Sequence, residues 1–227
     1  MKKLLGILLV LMLIVGSASA LAEGSTVTAI GSGTVTLVPD MASFSVGITT
    51  QDALITTAQT ANAAAMQAVI AALTALNVAR EDIQTEYYSV YPVYDYQGSA
   101  PKVTGYEVSN TVTVVVRDLA SLPTLLDAAV EAGANNVYSL TFQSSEQNTA
   151  YEQALTAAAQ DALRKAALMA QAIGREAGDP LSITENASSN VFFAQRAAYS
   201  LDSSYATPIE NGMVTITAEV TAVVSMK

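Results

Sequence analysis

The chain of 227 residues contains no cysteine and no histidine, and these absences restrict its chemistry more than any motif does. Without cysteine it has no disulfide bond, no thiol nucleophile and no lipid anchor of the lipoprotein type. Without histidine it lacks the most common general base and transition-metal ligand, so serine–histidine catalysis is impossible. Calcium or magnesium binding by oxygen ligands alone stays open, although no loop of the EF-hand type is present. We therefore expect no cofactor and no transition-metal site.

Positive charge is also scarce, because ten lysines and arginines stand against 20 aspartates and glutamates. The formal net charge is −10, and it becomes −12 if Lys2 and Lys3 are removed with an N-terminal signal. An acidic protein of this kind repels nucleic acids and anionic lipids. We expect neither of them as a partner.

The first 22 residues have the three parts of a signal peptide. Lys2 and Lys3 precede an apolar run from Leu4 to Val15, and a stretch of small residues then ends at Ala22. As a helix, the apolar run would span about 18 Å, which is short of the roughly 30 Å of a bilayer core. We predict cleavage after Ala22, and an uncleaved N-terminal anchor is the competing interpretation.

The mature chain is then a single domain over residues 23–227, exported to the periplasm or the extracellular cell envelope. No further apolar run is long enough to cross a membrane, so we expect no transmembrane segment in it. A length of 205 residues suits one domain or two small and intimate ones.

Two long strand patterns predict an extended β-hairpin in the middle of the chain. From Tyr106 to Val116 apolar and polar residues alternate, and Asp82–Tyr96 has the composition of a strand. With Gln97–Pro101 as the loop, each arm has about 14 residues, compared with a typical strand of about 5–6 residues. We expect this hairpin to project beyond the body of the domain.

Hairpins and alanine-rich helices together predict an α+β fold, with antiparallel sheets and long helices packed on one face. Gly31 and Gly33 lie in a strand pattern, where glycine indicates a bulge or a close backbone approach. The first long helix runs from about Asp52 to Leu76. Its predicted apolar face consists of Leu54, Ala58, Ala61, Ala65, Val69, Ala72 and Leu76.

Tyrosine is concentrated in the hairpin, and three interpretations are open. The rings can be buried in the sheet with the hydroxyls in water, they can stack on a sugar or peptidoglycan, or they can pack against another subunit. The candidate residues of an oligomer interface are Tyr87, Tyr91, Tyr94, Tyr96 and Tyr106.

Any enzyme reaction would have to use carboxylates, hydroxyls, lysine or arginine. A hydrolase of the glycosidase type needs two acids in one cleft, and Asp40, Glu86, Glu107 and Asp118 are the candidates. Arg117-Asp118 is better explained as the end of a strand followed by a helix cap. We therefore expect no enzyme and name no catalytic residue, with a carboxylate-based hydrolase as the alternative.

Seven short motifs follow one another along the chain: Gly31-Ser32-Gly33, Pro39-Asp40-Met41-Ala42, Asp82-Ile83-Gln84-Thr85, Tyr91-Pro92-Val93-Tyr94, Gly105-Tyr106, Val116-Arg117-Asp118-Leu119 and Gly133-Ala134-Asn135. In this order and spacing they resemble the bacterial SIMPL-domain family, also catalogued as domain of unknown function 541. The resemblance covers about residues 25–225. Val78 departs from the glycine–isoleucine pair that the family has after its first helix, and residues 194–207 have no counterpart.

The resemblance implies an exported protein without an assigned reaction. One periplasmic immunogenic member of the family assembles into a stacked ring with a central channel, and others are linked to oxidative stress tolerance. We therefore expect a homo-oligomeric, ring-like or channel-like envelope scaffold, and the resemblance implies a link to envelope or oxidative stress tolerance. The alternative is a monomeric module that binds an envelope glycan or a peptide through the tyrosine-rich hairpin.

Overall fold

The computed structural model describes residues 25–98, 100–186, 190–194, 209 and 211–227. The predicted signal peptide and nearly all of the stretch 194–207 lie outside these residues. The described residues form antiparallel sheets and α-helices, which confirms the predicted α+β class. They divide into two compact units, which are treated separately below.

The helices are α1 (Ile55–Ala75), α2 (Leu122–Glu131) and α3 (Gln147–Ala172). The strands are β1 (Thr26–Leu37), β2 (Met41–Asp52), β3 (Ile83–Asp95), β4 (Lys102–Val116), β5 (Asn136–Gln143), β6 (Ala177–Glu185), β7 (Asn190–Ala194) and β8 (Met213–Met226).

The larger unit comprises the described residues from 35 to 152 and from 190 to 216, and it contains a sheet with the strand order β3-β4-β2-β5. The predicted hairpin is its β3–β4 pair, which is in register from Ile83 opposite Val114 to Asp95 opposite Lys102. Strand β4 also pairs with β2, and this pairing ends at Tyr106. The hairpin is therefore built into the sheet over most of its length, and only its tip extends beyond β2.

Helices α1 and α2 pack on one face of this sheet. Successive side chains of a strand point to opposite faces of the sheet, so one row of apolar side chains from β2 and one from β4 face the helices. The residues of this core that lie within 2% of full burial include Phe44, Val46, Ile48, Val69, Leu73, Val112, Val114, Leu122 and Leu125.

The buried face of α1 differs from the predicted one. Leu54 is 65% exposed and Ala61 is exposed, whereas the buried residues are Ala58, Asn62, Met66, Val69 and Leu73. Ala58 and Val69 belong to both sets, and the predicted face did not include Asn62, Met66 and Leu73. Asn62 is a polar residue that the buried face contains because its amide donors are hydrogen-bonded there. Its side-chain amide donates to the carbonyl oxygens of Ile48 at 2.8 Å and Val108 at 3.0 Å.

The smaller unit comprises the described residues up to 34, from 153 to 189 and from 217 to 227, and its strands have the order β1-β8-β6. Helix α3 packs closely on β1, and glycines of β1 face alanines of α3 at the contact. A β-carbon on Gly31 would overlap the backbone of Ala158 and Ala162, and one on Gly33 would overlap the backbone of Ala154. The two glycines therefore allow the close backbone approach that the sequence predicts.

Asp161 connects α3 to β1 within this unit. Its carboxylate accepts a hydrogen bond from the Ser32 backbone N–H at 3.1 Å and forms ion pairs with Lys165 at 2.8 Å and with Arg164. The Lys165 ammonium also donates to the Ile30 carbonyl at 3.0 Å. Hydrogen bonds to the Asp161 carboxylate hold the pKa of Asp161 far below its usual range. The bond from Lys165 has the largest effect, and those from Ser32 and Arg164 have smaller ones.

We expect Asp161→Asn to lower the melting temperature at pH 7. We also expect the melting temperature of the variant to fall less than that of wild type as the pH is lowered. A carboxyl whose folded pKa is depressed stabilises the fold above its unfolded pKa of about 3.9, and this stabilisation is lost as the pH falls further. The difference from wild type should thus be largest near neutral pH and narrow below about pH 4. Thermal melts from pH 7 to pH 2 measure it, with the surface change Asp179→Asn as the matched control. A difference that stays constant over this range would contradict the prediction.

Candidate interaction surface

Strand β3, which carries most of the tyrosines, is an edge strand. It pairs with β4 on one side and is the last strand of its sheet on the other. The unpaired N–H and C=O groups of an edge can pair with a further strand, and natural proteins protect such edges unless they use them. Pro92 and the bulge between Thr85 and Tyr87 interrupt the edge without covering it.

Two of the candidate tyrosines form a pair on the sheet face that lies opposite α1 and α2. Tyr87 pairs in register with Thr111, and Tyr91 with Glu107, on the side away from the buried Val108. Their hydroxyl oxygens are 3.1 Å apart. We call Tyr87 and Tyr91 the face pair.

Two others lie at the tip of the hairpin, beyond the end of β2. Tyr94 pairs in register with Val103, and the rings of Tyr94 and Tyr96 have centroids 6.1 Å apart with a tilt of 44°. Tyr96 is 73% exposed, and Tyr94 and Val103 are each about two-fifths exposed. We call Tyr94 and Tyr96 the tip pair, and with Val103 they make an apolar patch in water.

Tyr106, the fifth candidate, does not join either pair. It lies opposite Pro92 and Asp52 in register and is partly buried. Tyr88, on the face that carries the helices, accepts a hydrogen bond from the Gln59 side chain at 3.3 Å. The tyrosines of the hairpin are thus divided between both faces of the sheet and the tip.

Polar groups surround the face pair. The Glu86 carboxylate accepts hydrogen bonds from Ser45 Oγ at 2.8 Å and Thr113 Oγ1 at 3.1 Å. The Tyr138 hydroxyl donates to Thr111 Oγ1 at 3.4 Å from the opposite edge. Hydroxyls, a carboxylate and ring faces therefore lie together on this face of the sheet.

The candidate acids of a hydrolase have structural partners instead. Asp40 accepts hydrogen bonds from the Ser145 hydroxyl and backbone N–H, and these bonds lower its pKa. Asp118 accepts from the Ala120 N–H at 3.1 Å and caps the turn that precedes α2. Glu86 belongs to the hydroxyl network described above, and Glu107 lies opposite Tyr91. These contacts assign loop and sheet roles to three of the four candidates.

Two features are absent from the part of the chain that the structure describes. No group of three or more acidic side chains is arranged there to hold a metal ion. No helix there combines the length and apolar character that a membrane span requires.

A family model described as "SIMPL: Protein of unknown function (DUF541)" matches residues 27–224. The chain is 32% identical over 160 residues to the 26 kDa periplasmic immunogenic protein of Brucella melitensis, covering 68% of this chain and 64% of that protein. It is 28% identical over 166 residues to the Uncharacterized protein YggE of Escherichia coli K12, covering 73% of this chain and 68% of that protein.

The chain thus spans slightly less than two thirds of the Brucella protein that it matches. The family model and these two relatives indicate no enzyme family. The Brucella relatives are named as periplasmic proteins, in agreement with the localisation predicted from residues 1–22. The prediction of an exported protein of the periplasm or cell envelope is therefore confirmed.

Proposed function

The chain belongs to the SIMPL family of proteins of unknown function (DUF541), and on that premise we propose that it is a non-enzymatic envelope scaffold that assembles with copies of itself through the β3–β4 hairpin. The observation that carries this proposal is the tip pair, two exposed tyrosines at the end of the edge strand β3, where the β3–β4 hairpin extends beyond β2. A ring-like or channel-like assembly is the form we propose. The link to envelope or oxidative stress tolerance stays a prediction.

The tip of the hairpin is exposed to water. A two-stranded ribbon is only marginally stable in water, and among the described residues no third strand pairs with the tip, because β2 ends opposite Tyr106. Tyrosine is enriched at interfaces because it buries a large ring while its hydroxyl stays hydrogen-bonded. A second copy that covers Tyr94, Tyr96 and Val103 would remove this apolar area from water.

Electrostatics opposes the assembly. A formal charge of −12 without residues 1–22 makes copies repel each other, and salt screens this repulsion. We therefore expect the oligomer to become more stable as the salt concentration rises from low values to about 0.15 M.

A second candidate function is a binding module for a glycan or a peptide. The observation that favours it is the hydroxyl and carboxylate network of Ser45, Glu86 and Thr113 beside the face pair. Such a face offers ring surfaces for stacking and polar groups that fix an orientation. This function needs the face pair and makes no use of the tip pair.

We expect Tyr94→Ala to shift the protein towards the monomer and to leave its circular dichroism unchanged. Truncation of a tyrosine at the centre of an interface costs about 1–3 kcal/mol of association, or roughly 5- to 150-fold in the dissociation constant. Light scattering at micromolar concentrations measures the mass of wild type and variant.

The matched control is Tyr88→Ala, since Tyr88 lies on the same strand with similar exposure but contacts Gln59 of α1. The control should keep the wild-type mass. A wild-type mass of one chain would overturn the scaffold and favour the binding module. That module would then be tested by titration with peptidoglycan fragments, using tyrosine fluorescence, since the chain has no tryptophan.

A further inference from the structure

A cleft of about 520 Å³ lies in the larger unit, away from the hairpin tip. It is formed where the C-terminal end of α1 meets the end of β4 and the start of α2. Its volume falls within the roughly 300–1,000 Å³ of small-molecule sites. Its lining includes Leu76, Val78, Glu81, Asp82, Arg117 and Leu125.

An ion pair with an incomplete set of hydrogen bonds forms one part of the cleft. Arg117 Nε donates to Asp82 Oδ2 at 2.9 Å and Arg117 Nη2 donates to Asp82 Oδ1 at 2.7 Å. The Asp82 side chain is 8% exposed, whereas that of Arg117 is 64% exposed. The hydrogen bonds from Arg117 lower the pKa of Asp82, so the carboxylate stays ionised and holds the guanidinium in place.

The guanidinium has five N–H donors, and Asp82 takes two of them. Among the described residues the structure gives Arg117 no other hydrogen bond. The outer edge, formed by Nη1 and the second N–H of Nη2, is therefore available. An edge of this shape binds a carboxylate through two parallel hydrogen bonds.

The opposite charge is present in the same cleft. Glu81 lines it next to Asp82, and its charge raises the pKa of Arg117 in addition to the larger effect of Asp82. The end of α1 at Leu76 adds the negative end of a helix dipole, which favours a cation. Leu76, Val78 and Leu125 supply apolar walls between these charges.

We propose that this cleft binds a small apolar zwitterion, an amino acid or a dipeptide, with its carboxylate on the outer edge of Arg117 and its ammonium group beside Glu81. A ligand with a single charge would meet only one of the two groups. A ligand of high polarity would not use the leucine and valine walls.

The experiment is isothermal titration of the full-length mature protein with leucyl-leucine, its C-terminal amide, its N-acetyl form and free leucine. We expect leucyl-leucine to bind about tenfold more tightly than either blocked form, because each of these lacks one charged contact. The comparison of leucyl-leucine with leucine decides between a dipeptide and an amino acid. No saturable binding of either up to about 10 mM would overturn the proposal.

Two variants test which residue binds the ammonium group of the ligand and which binds its carboxylate. Glu81→Gln should weaken leucyl-leucine about tenfold and leave the N-acetyl form unchanged, because that form has no ammonium group. Arg117→Lys should weaken leucyl-leucine and leave its amide unchanged, because a lysine lacks the two-pronged edge. A loss of stability alone would weaken all ligands equally, and that result would contradict the proposal.

The matched control is Glu131→Gln, which makes the same charge change at an exposed position of α2 outside the cleft. It should bind leucyl-leucine as wild type does. Equal weakening by Glu131→Gln and Glu81→Gln would show a general charge effect and overturn the assignment of Glu81.

Discussion

Replacement of Gly31 by alanine is expected to lower the free energy of unfolding by about 3 kcal/mol or more, one of the largest effects of any single methyl group in this chain. The added carbon would overlap the carbonyl oxygen of Ala158 and the backbone nitrogen of Ala162. Both are backbone atoms of a helix, so neither can rotate away as a side-chain end would. Helix α3 must instead move off β1 and lose the burial of Ala162 and Ala166.

The control for this variant is Gly98→Ala. A β-carbon at Gly98 meets only the Ala100 carbonyl oxygen, at 3.6 Å, which is an ordinary contact. Its effect should stay within about 0.5 kcal/mol. Urea unfolding followed by circular dichroism measures both variants against wild type. If Gly31→Ala and Gly98→Ala unfold at the same urea concentration, the close packing of α3 on β1 is wrong.

The close approach at Gly31 could be predicted from the sequence, but its partner could not. Glycine in a strand pattern indicates that something lies near the backbone. Ala158 and Ala162 are separated from Gly31 by more than 120 residues, and no local pattern connects them. The alanines themselves suggest a closely packed helix, and only the fold shows which strand they meet.

The hairpin was predictable as a hairpin, because its alternation is long and its loop is clear. The division of its tyrosines was not. Strict alternation from the buried Ile83 would place Tyr87 and Tyr91 on the same face as Ile83. The extra residue at Glu86 reverses this phase, and the pair lies on the opposite face. The alternation pattern of the sequence does not indicate where a bulge lies, so the face pair can be identified only in the structure.

The cleft has no signal in the sequence for a different reason. The pattern at Arg117-Asp118 predicts the end of a strand followed by a helix cap, and for Asp118 the structure agrees. Arg117, however, pairs with Asp82, which lies 35 positions earlier and is nearly buried. In the sequence, Asp82 begins the strand pattern of Asp82–Tyr96, and nothing there marks it as a buried acid that pairs with a residue 35 positions later.

The second large loss of stability is expected from a substitution of Asn62, a buried residue of α1. Its amide is the donor for two backbone carbonyls, those of Ile48 and Val108, and the side chain is 1% exposed. Among the residues that the structure describes, none donates a hydrogen bond to the Asn62 Oδ1 atom. The residue therefore acts in the core as a donor only, and it holds α1 against β2 and β4.

We expect Asn62→Asp to lower the free energy of unfolding by about 3 kcal/mol or more at pH 7. The substitution keeps the size of the side chain and replaces its two donors by an ionised carboxylate next to carbonyl oxygens. Burial without a counter-charge raises the folded pKa of such a carboxyl above its unfolded value of about 3.9. The neutral acid is therefore favoured in the folded state, and it regains one O–H donor.

The direction of this pKa shift determines how the stability of Asn62→Asp depends on pH. With a raised folded pKa, the variant is least destabilised below about pH 4 and loses stability relative to wild type as the pH rises towards 7. Gln67→Glu, which makes the same charge change on the exposed side of α1, should show little loss at either pH. Urea unfolding of both variants and wild type at pH 4 and pH 7 measures the difference. An equal loss for Asn62→Asp at both pH values would mean that the missing donors, and not the buried charge, determine its cost.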